Sequence, residues 1–196
     1  NPLTPIQLTI DRIKNKYSNQ INKNEKENFD ENLKIINNQI KQIGNLVNEF
    51  SDFARMPKPI LKENNLIQII KDNIKLLNEL DNSIIISLNV KKKEILLNSD
   101  KEQLSRVFFN LIKNSIESIH QKVENYSNSE KKITIEVNEE DHHIIINIID
   151  NGIGFEISAA NIKEILNPYF TTKKNGTGLG LSIVSKIIND HNGKIE

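Results

Sequence analysis

His143-Ile144-Ile145-Ile146-Asn147-Ile148-Ile149 runs directly into Asp150-Asn151-Gly152-Ile153-Gly154, and this passage decides the fold. A short apolar run closed by turn residues is the pattern of a strand, here His143 to Ile149. An acidic residue at a strand end can accept a hydrogen bond from a ligand amine. The two glycines let the following backbone approach a flat ligand where a Cβ would collide. An isolated Asp-Asn-Gly would be an ordinary turn. This one is not isolated, because the chain has only seven glycines and five of them lie within the 29 residues from Gly152 to Gly180.

The other three glycines of that cluster stand in Gly176-Thr177-Gly178-Leu179-Gly180-Leu181, at the start of a helix predicted from about Gly180 to His191. Glycines ahead of a helix N-terminus bare its N–H groups and the positive end of its dipole, which suits a phosphate. The spacing is neither Gly-x-Gly-x-x-Gly nor the phosphate loop ending in Lys-Ser/Thr, so those two nucleotide folds are disfavoured. Just upstream, Phe170-Thr171-Thr172-Lys173-Lys174 offers hydroxyls and ammonium groups to a phosphoryl group. A third element is Asn110-Leu111-Ile112-Lys113-Asn114-Ser115-Ile116-Glu117 on a long helix expected over Lys101 to Gln121. Positions 110, 114 and 117 share one face, so two carboxamides and a carboxylate can point together. Oxygen ligands of that kind suit Mg²⁺, which completes its shell with water and nucleotide phosphate.

Working outward, the rest of the chain divides at Met56-Pro57-Lys58-Pro59, since proline removes a helical donor and biases its predecessor away from the α region. Before it, Leu3, Ile6, Ile10, Ile13 and Tyr17, then Phe29, Leu33, Ile36, Ile40, Ile43, Val47 and Phe50, recur at alternating three- and four-residue steps. That is a heptad seam on two helices, a hairpin over residues 1–57. Two helices cannot bury both seams alone, so a homodimer forming a four-helix bundle is expected. Residues 58–196 mix helices and strands: a helix over Leu66 to Leu80, β-rich runs at Ile84 to Val90, Glu94 to Leu97 and Lys132 to Val137, and a short helix near Ser158 to Leu166. Asp100 and Gln103 resemble a capping box at the start of the long helix. The fold class is therefore α+β, with helices on one face of a sheet.

Composition narrows the function. Ile, Leu, Val and Phe supply 65 of 196 residues, so the profile of a disordered chain is absent. Lys+Arg and Asp+Glu balance at 26 each, and no basic stripe is evident, which argues against nucleic acid. With no cysteine there is no disulfide, thiolate nucleophile or Cys-ligated zinc. No apolar run approaches the ~20 residues that span a bilayer, so no direct membrane contact is expected of this stretch. The 35 Ile, 30 Asn and 23 Lys against 3 Arg reflect coding bias more than chemistry.

Asn110 to Asn114, Asp150 to Gly154, Pro168 to Lys173 and Gly176 to Leu181 resemble, in order, the N, G1, F and G2 boxes of the sensor histidine kinase ATP-binding domain. Asn1-Pro2-Leu3-Thr4-Pro5 resembles the tail of that family's phosphoacceptor motif. Val47 to Pro57 resembles the nitrogen-regulation, NtrY-type branch. The resemblance spans essentially the whole chain and implies a dimerisation and phosphotransfer hairpin followed by an α/β sandwich of the gyrase, HSP90, histidine kinase and MutL (GHKL) type.

By that resemblance Asp150 would bond the adenine amino group, with Gly152 and Gly154 lining the base pocket. Asn114 would ligate Mg²⁺, supported by Asn110 and Glu117. Thr171, Thr172, Lys173, Gly176, Thr177, Gly178, Leu179, Gly180 and Leu181 would surround the phosphates, under a lid running from Phe155 to Gly176. Asn1 would hold a phosphatase-associated position. The partner implied is an NtrX-like response regulator receiver domain. The location implied is the cytoplasmic portion of an inner-membrane-anchored bacterial sensor kinase.

Two departures matter. The motif's His would lie four residues before Asn1, and His120, His142, His143 and His191 do not replace it. The chain also stops at Gly193-Lys194-Ile195-Glu196, where the family continues into further strands. A core piece that binds nucleotide but cannot phosphorylate itself is expected. Asn110 stands where the related ATPases carry a general-base Glu, and an amide is a poor base, so transfer to a side chain fits better than hydrolysis. The alternatives are a serine kinase of the anti-sigma-factor type, which would not need the hairpin, and a dimerisation and binding module without kinase activity.

Overall fold

The computed structural model describes residues 3–125, 130–154, 162–173 and 176–196. They fall into two compact units, residues 1–56 with 172–177, and residues 57–171 with 178–196.

The first unit is built on two helices, α1 (Thr4–Tyr17) and α2 (Lys23–Ala54). Pro5 sits in the first turn of α1, where a missing N–H costs nothing and the fixed φ already suits a helix. The helices run antiparallel: a Cβ on Gly44, far along α2, would lie 3.4 Å from the Leu3 side chain at the start of α1. Ile10, Leu33 and Ile40 form the buried cluster, with Leu3 and Phe29 packed against it. The remaining seam residues behave differently. Ile6, Ile13, Tyr17, Ile36, Ile43, Val47 and Phe50 are exposed, Ile43 by 49%. The heptad stripe is thus wider than one hairpin can cover.

The second unit comprises β1 (Lys62–Asn65), α3 (Leu66–Leu80), β2 (Ile85–Val90), β3 (Leu96–Ser99), α4 (Lys101–Asn125), β4 (Lys132–Glu140), β5 (His143–Asp150), α5 (Ile162–Ile165) and α6 (Gly180–Asp190). β1 and β3 pair antiparallel in a two-stranded ribbon. The other sheet has the order β2-β4-β5, parallel between β2 and β4 and antiparallel between β4 and β5. One face of β4, formed by Ile133, Ile135 and Val137, is buried under α4, whose Leu104, Val107, Phe108, Ile112 and Ile119 are also buried. α6 closes this layer through Leu179, Ile183, Val184 and Ile187. α3 is joined to α4 by a partly buried polar bond, Asn73 Nδ2 donating to Ser105 Oγ at 2.9 Å.

Most of the elements expected from periodicity are present, and α3 has the expected limits. α4 runs one turn beyond Gln121, and β4 runs on to Glu140. β1 carried no sequence signal, because Lys-Glu-Asn-Asn has neither alternation nor β-branching; its ladder is completed by Asn64, whose side chain donates to Ser99 O at 2.7 Å. Of the helix expected near Ser158 to Leu166, α5 is the described part, and residues 155–161 lie outside the described residues.

Asp100 caps α4, accepting from the backbone N–H groups of Glu102 and Gln103, but the reciprocal half of the capping box is absent. Gln103 instead sends its side-chain amide to Pro57 O at 3.0 Å. The second Asp100 oxygen accepts from Ile60 N at 2.9 Å. Burial pushes the Asp100 pKa up, and the N–H groups of Ile60, Gln103 and Glu102, with His191, more than offset it, so the carboxyl lies below its ordinary value. His191 Nε2 accepts from Asp100 N at 3.0 Å, and its Nδ1 lies 2.8 Å from Ile187 O. His120 Nε2 donates to Asp81 Oδ2 at 2.6 Å. Both histidines serve the fold.

The Asp81 carboxyl is lowered to about 2, chiefly by the hydroxyl and backbone N–H of Ser83 and then by His120. A lowered carboxyl contributes stability that is full above the ordinary carboxylate range and is lost as pH falls from there through about 2. The urea midpoint of the wild-type chain should therefore fall more steeply between pH 4 and pH 2 than that of Asp81→Asn.

Candidate functional site

α4 carries the two carboxamides. Asn110, Asn114 and Glu117 lie along one side of the helix, half-buried, while Val107, Phe108, Ile112 and Ile119 fix its rotation in the core. Against that side stands the start of α6. A Cβ on Gly180 would lie 3.7 Å from Asn110 Oδ1 and 4.0 Å from Asn114 Nδ2, ordinary contact distances that place the first turn of α6 beside both amides. The N-cap position is Leu179, whose apolar side chain is buried and caps nothing. The positive end of the α6 dipole and its first N–H groups thus lie beside two amide oxygens and nitrogens.

The turn after β5 is held to the same helix. Asp150, paired with Ile133 at the last ladder position, accepts from Gly152 N at 2.9 Å through Oδ1. Asn151 ties the turn to β4: its Oδ1 accepts from Lys132 N at 3.0 Å and its Nδ2 donates to Glu130 O. Lys122 of α4 donates to Asn151 O at 2.7 Å, and Ile153 N donates to Ser118 O at 3.2 Å. A Cβ on Gly152 would meet Ser118 atoms at 2.2 to 2.7 Å. What forbids a side chain at 152 is therefore α4 itself. Gly154 has open space around it and a φ of +73°, so its need for glycine is conformational.

A third contact fixes the approach to α6. Gly178, at φ +69°, lies so near Tyr169 that a Cβ would come within 2.4 Å of its backbone carbon, and Tyr169 N donates to Gly178 O at 3.0 Å. Tyr169 itself has φ +71°, an uncommon conformation for a bulky residue.

The second unit therefore holds Asn110, Asn114, Glu117, Asp150, Gly152, Gly154, Thr171, Gly178, Leu179, Gly180 and Leu181. Thr172, Lys173, Gly176 and Thr177 belong to the first unit, where Gly176 N donates to Lys173 O at 3.1 Å and the Thr177 hydroxyl donates to the Glu49 carboxylate of α2. Asn1, Lys174, and residues 155–161 of the expected lid lie outside the described residues. Sequence reasoning overlooked Ser118 and Lys122, which seat the turn after β5. Ser118 had a signal: it continues the 110, 114 spacing by one more helical turn, and a small residue there leaves room for a backbone.

The donors that could take part in holding Mg²⁺ with a nucleotide's phosphates are side-chain amides. The amides of Asn110 and Asn114 are neutral oxygen donors beside a helix N-terminus. Among the described residues no group of three or more His, Cys, Asp or Glu offers a carboxylate or imidazole cage instead.

Residues 99–196 match the family of histidine kinase-, DNA gyrase B-, and HSP90-like ATPases, and the chain belongs to that family. Within it the chain is a homologue of NtrY-like sensor histidine kinases. It is 36% identical over all 196 residues to nitrogen regulation protein NtrY of Azorhizobium caulinodans, covering 25% of that protein. It is 33% identical over its full length to a putative sensor histidine kinase NtrY-like of Rickettsia bellii, covering 30% of it. The chain thus spans less than a third of the length of these relatives. Among solved structures, the catalytic domain of histidine kinase ThkA in a nucleotide-free form matches 67% of this chain and 81% of its own, with 28% identity and a TM-score of 0.56. ThkA in complex with response regulator protein TrrA matches 98% of this chain and 52% of its own at a TM-score of 0.67 and 24% identity, a likeness of fold.

The three glycines separate by cause. Gly152→Ala and Gly178→Ala, which drive a Cβ into backbone, should each destabilise the chain by roughly 1–3 kcal/mol. Gly154→Ala, strained in φ alone, should cost about 1 kcal/mol. Chemical denaturation of the three variants checks the order.

Proposed function

We propose that this chain is the core of a sensor kinase transmitter, which binds Mg-ATP in the second unit for phosphoryl transfer to a His of the longer protein and onward to an Asp of a response regulator receiver domain. The observation that carries the reading is the Asn110 and Asn114 pair beside the first turn of α6, which has no side-chain cap, with the turn that follows Asp150 held to the same helix. Asp150 would accept from the adenine amino group through the oxygen that Gly152 N does not use. The first N–H groups of α6 would bind phosphate oxygens. Asn114 would ligate Mg²⁺ with Asn110 beside it; when bound, the ion supplies neutralisation of phosphate charge. Thr171 would add a hydroxyl donor to the transferred group.

Asn110, at the position where related ATPases carry a general-base Glu, does not take up a proton near neutral pH. Positioning and electrostatics suit a side-chain acceptor. The exposed half of the heptad seam supports a homodimer through the hairpin, as a second copy would cover Ile36, Ile43, Val47 and Phe50. Among the described residues no helix is long and apolar enough to cross a membrane, and the proposed setting is the cytoplasmic part of a membrane-anchored protein.

Titration with a fluorescent ATP analogue and Mg²⁺ tests the site: Asp150→Ala and Asn114→Ala should each weaken binding by about tenfold or more, the loss of a charged or metal-linked hydrogen bond. Unchanged affinity in Asp150→Ala would sink the adenine assignment. A chain extended upstream to include the His should take label from ATP in an acid-labile form, whereas acid-stable label would favour a serine kinase. Sedimentation should show a dimer that Ile36→Glu with Ile43→Glu converts to a monomer.

A further inference from the structure

The sheet has one edge that its helices do not cover. Ile86, Leu88 and Val90 of β2 pair in parallel register with Ile133, Ile135 and Val137 of β4, and so share their face. The β4 residues are 0 to 3% exposed, while their three β2 neighbours are only half-buried. Between them and α3 lies an open groove of about 800 Å³, with Ile74 of α3 completing its apolar floor. Its rim is strongly basic: Lys71, Lys75, Lys91, Lys92 and Lys93 line it against the single carboxylate of Glu79. Lys92 pairs with Glu139, and the other four lysines have no carboxylate partner among the described residues. In a chain with no net charge, this concentrates uncompensated positive charge around an apolar surface.

We propose that the groove between α3 and β2 docks an acidic amphipathic helix of a partner protein. Ile86 to Val90 span ~13 Å of strand, and Lys71 to Glu79 span ~12 Å of helix. Each matches a little over two turns of a bound helix. Such a helix would lay apolar residues spaced i, i+3/i+4, i+7 on Ile74, Ile86, Leu88 and Val90. Its flanking carboxylates would meet the unpaired lysines. The groove sits at the sheet edge opposite β5, so it is distinct from the turn that carries Asp150. The competing role for these lysines is to shield the open edge of β2 from other strands, which needs no ligand.

The probe is a labelled helical peptide of about two heptads with leucines on one face and glutamates elsewhere, followed by fluorescence anisotropy with the 196-residue chain. It should bind more weakly as salt rises. Lys71→Glu with Lys75→Glu and Lys93→Glu, all on exposed side chains, should weaken it by at least about tenfold. Ile74→Ser should weaken it at constant charge, and the ATP-analogue affinity of both variants should match the wild type. Absence of binding overturns the proposal, as does binding that survives charge reversal. Equal binding of a control peptide with serine for leucine overturns it as well, by reducing the groove to a patch of charge. Binding of phosphatidylglycerol vesicles without the peptide would replace a protein partner by a membrane surface.

Discussion

Everything in the second unit depends on how α4 is buried. Its apolar stripe of Leu104, Val107, Phe108, Ile112 and Ile119 is enclosed by the sheet, α3 and α6, and that burial fixes the helix in rotation as well as in place. A helix of 25 residues locked in this way is a ruler. Asp100 at its first turn gathers Ile60 and His191; Asn110 and Asn114 meet Gly180; Ser118 and Lys122 seat the turn after β5. The start of α6 and the turn after β5, the two segments proposed to face a nucleotide, are therefore referred to one element. Rigid support of that kind is what catalysis by positioning requires.

The glycines show how that arrangement is achieved with little side-chain chemistry. Gly152 and Gly178 are small because another part of the same chain occupies the space, Ser118 in one case and the Tyr169 backbone in the other. The nearness needed by a ligand is prepared by nearness within the protein. Tyr169 holds an uncommon φ of +71° where its N–H reaches Gly178 O.

The elements with strong periodicity were legible in the sequence. α3 and α6 were bounded by their apolar stripes, and the five isoleucines of β5 with Asp150 and two glycines after them announced both a strand and its turn. What was not legible arose from tertiary partners. Lys62 to Asn65 forms β1 because β3 offers a ladder, and nothing in four polar residues declares that. Gln103 leaves the capping box for Pro57 because the chain entering the unit passes there. Ser118 was hidden by its chemistry, since its function is to be small and to offer a carbonyl. The heptad pattern on α1 and α2 foretold more seam than one hairpin can bury, and seven seam residues are exposed.

The parallel pairing of β2 with β4 has a bearing on how the chain reaches this structure. Ser87 and Thr134, neighbours across that ladder, are 47 residues apart, and all of α4 lies between them. Closing so long a loop is entropically expensive, so the pairing is rewarded only when the intervening helix has already drawn the two strands together. The antiparallel β4 and β5, joined by a two-residue turn at Asp141 and His142, carry no such delay. By loop length alone, the β4-β5 hairpin closes at lower entropic cost than the β2-β4 pairing. On a ribosome the edge strand is made early and waits, with Ile86, Leu88 and Val90 uncovered, until residue 137 has emerged.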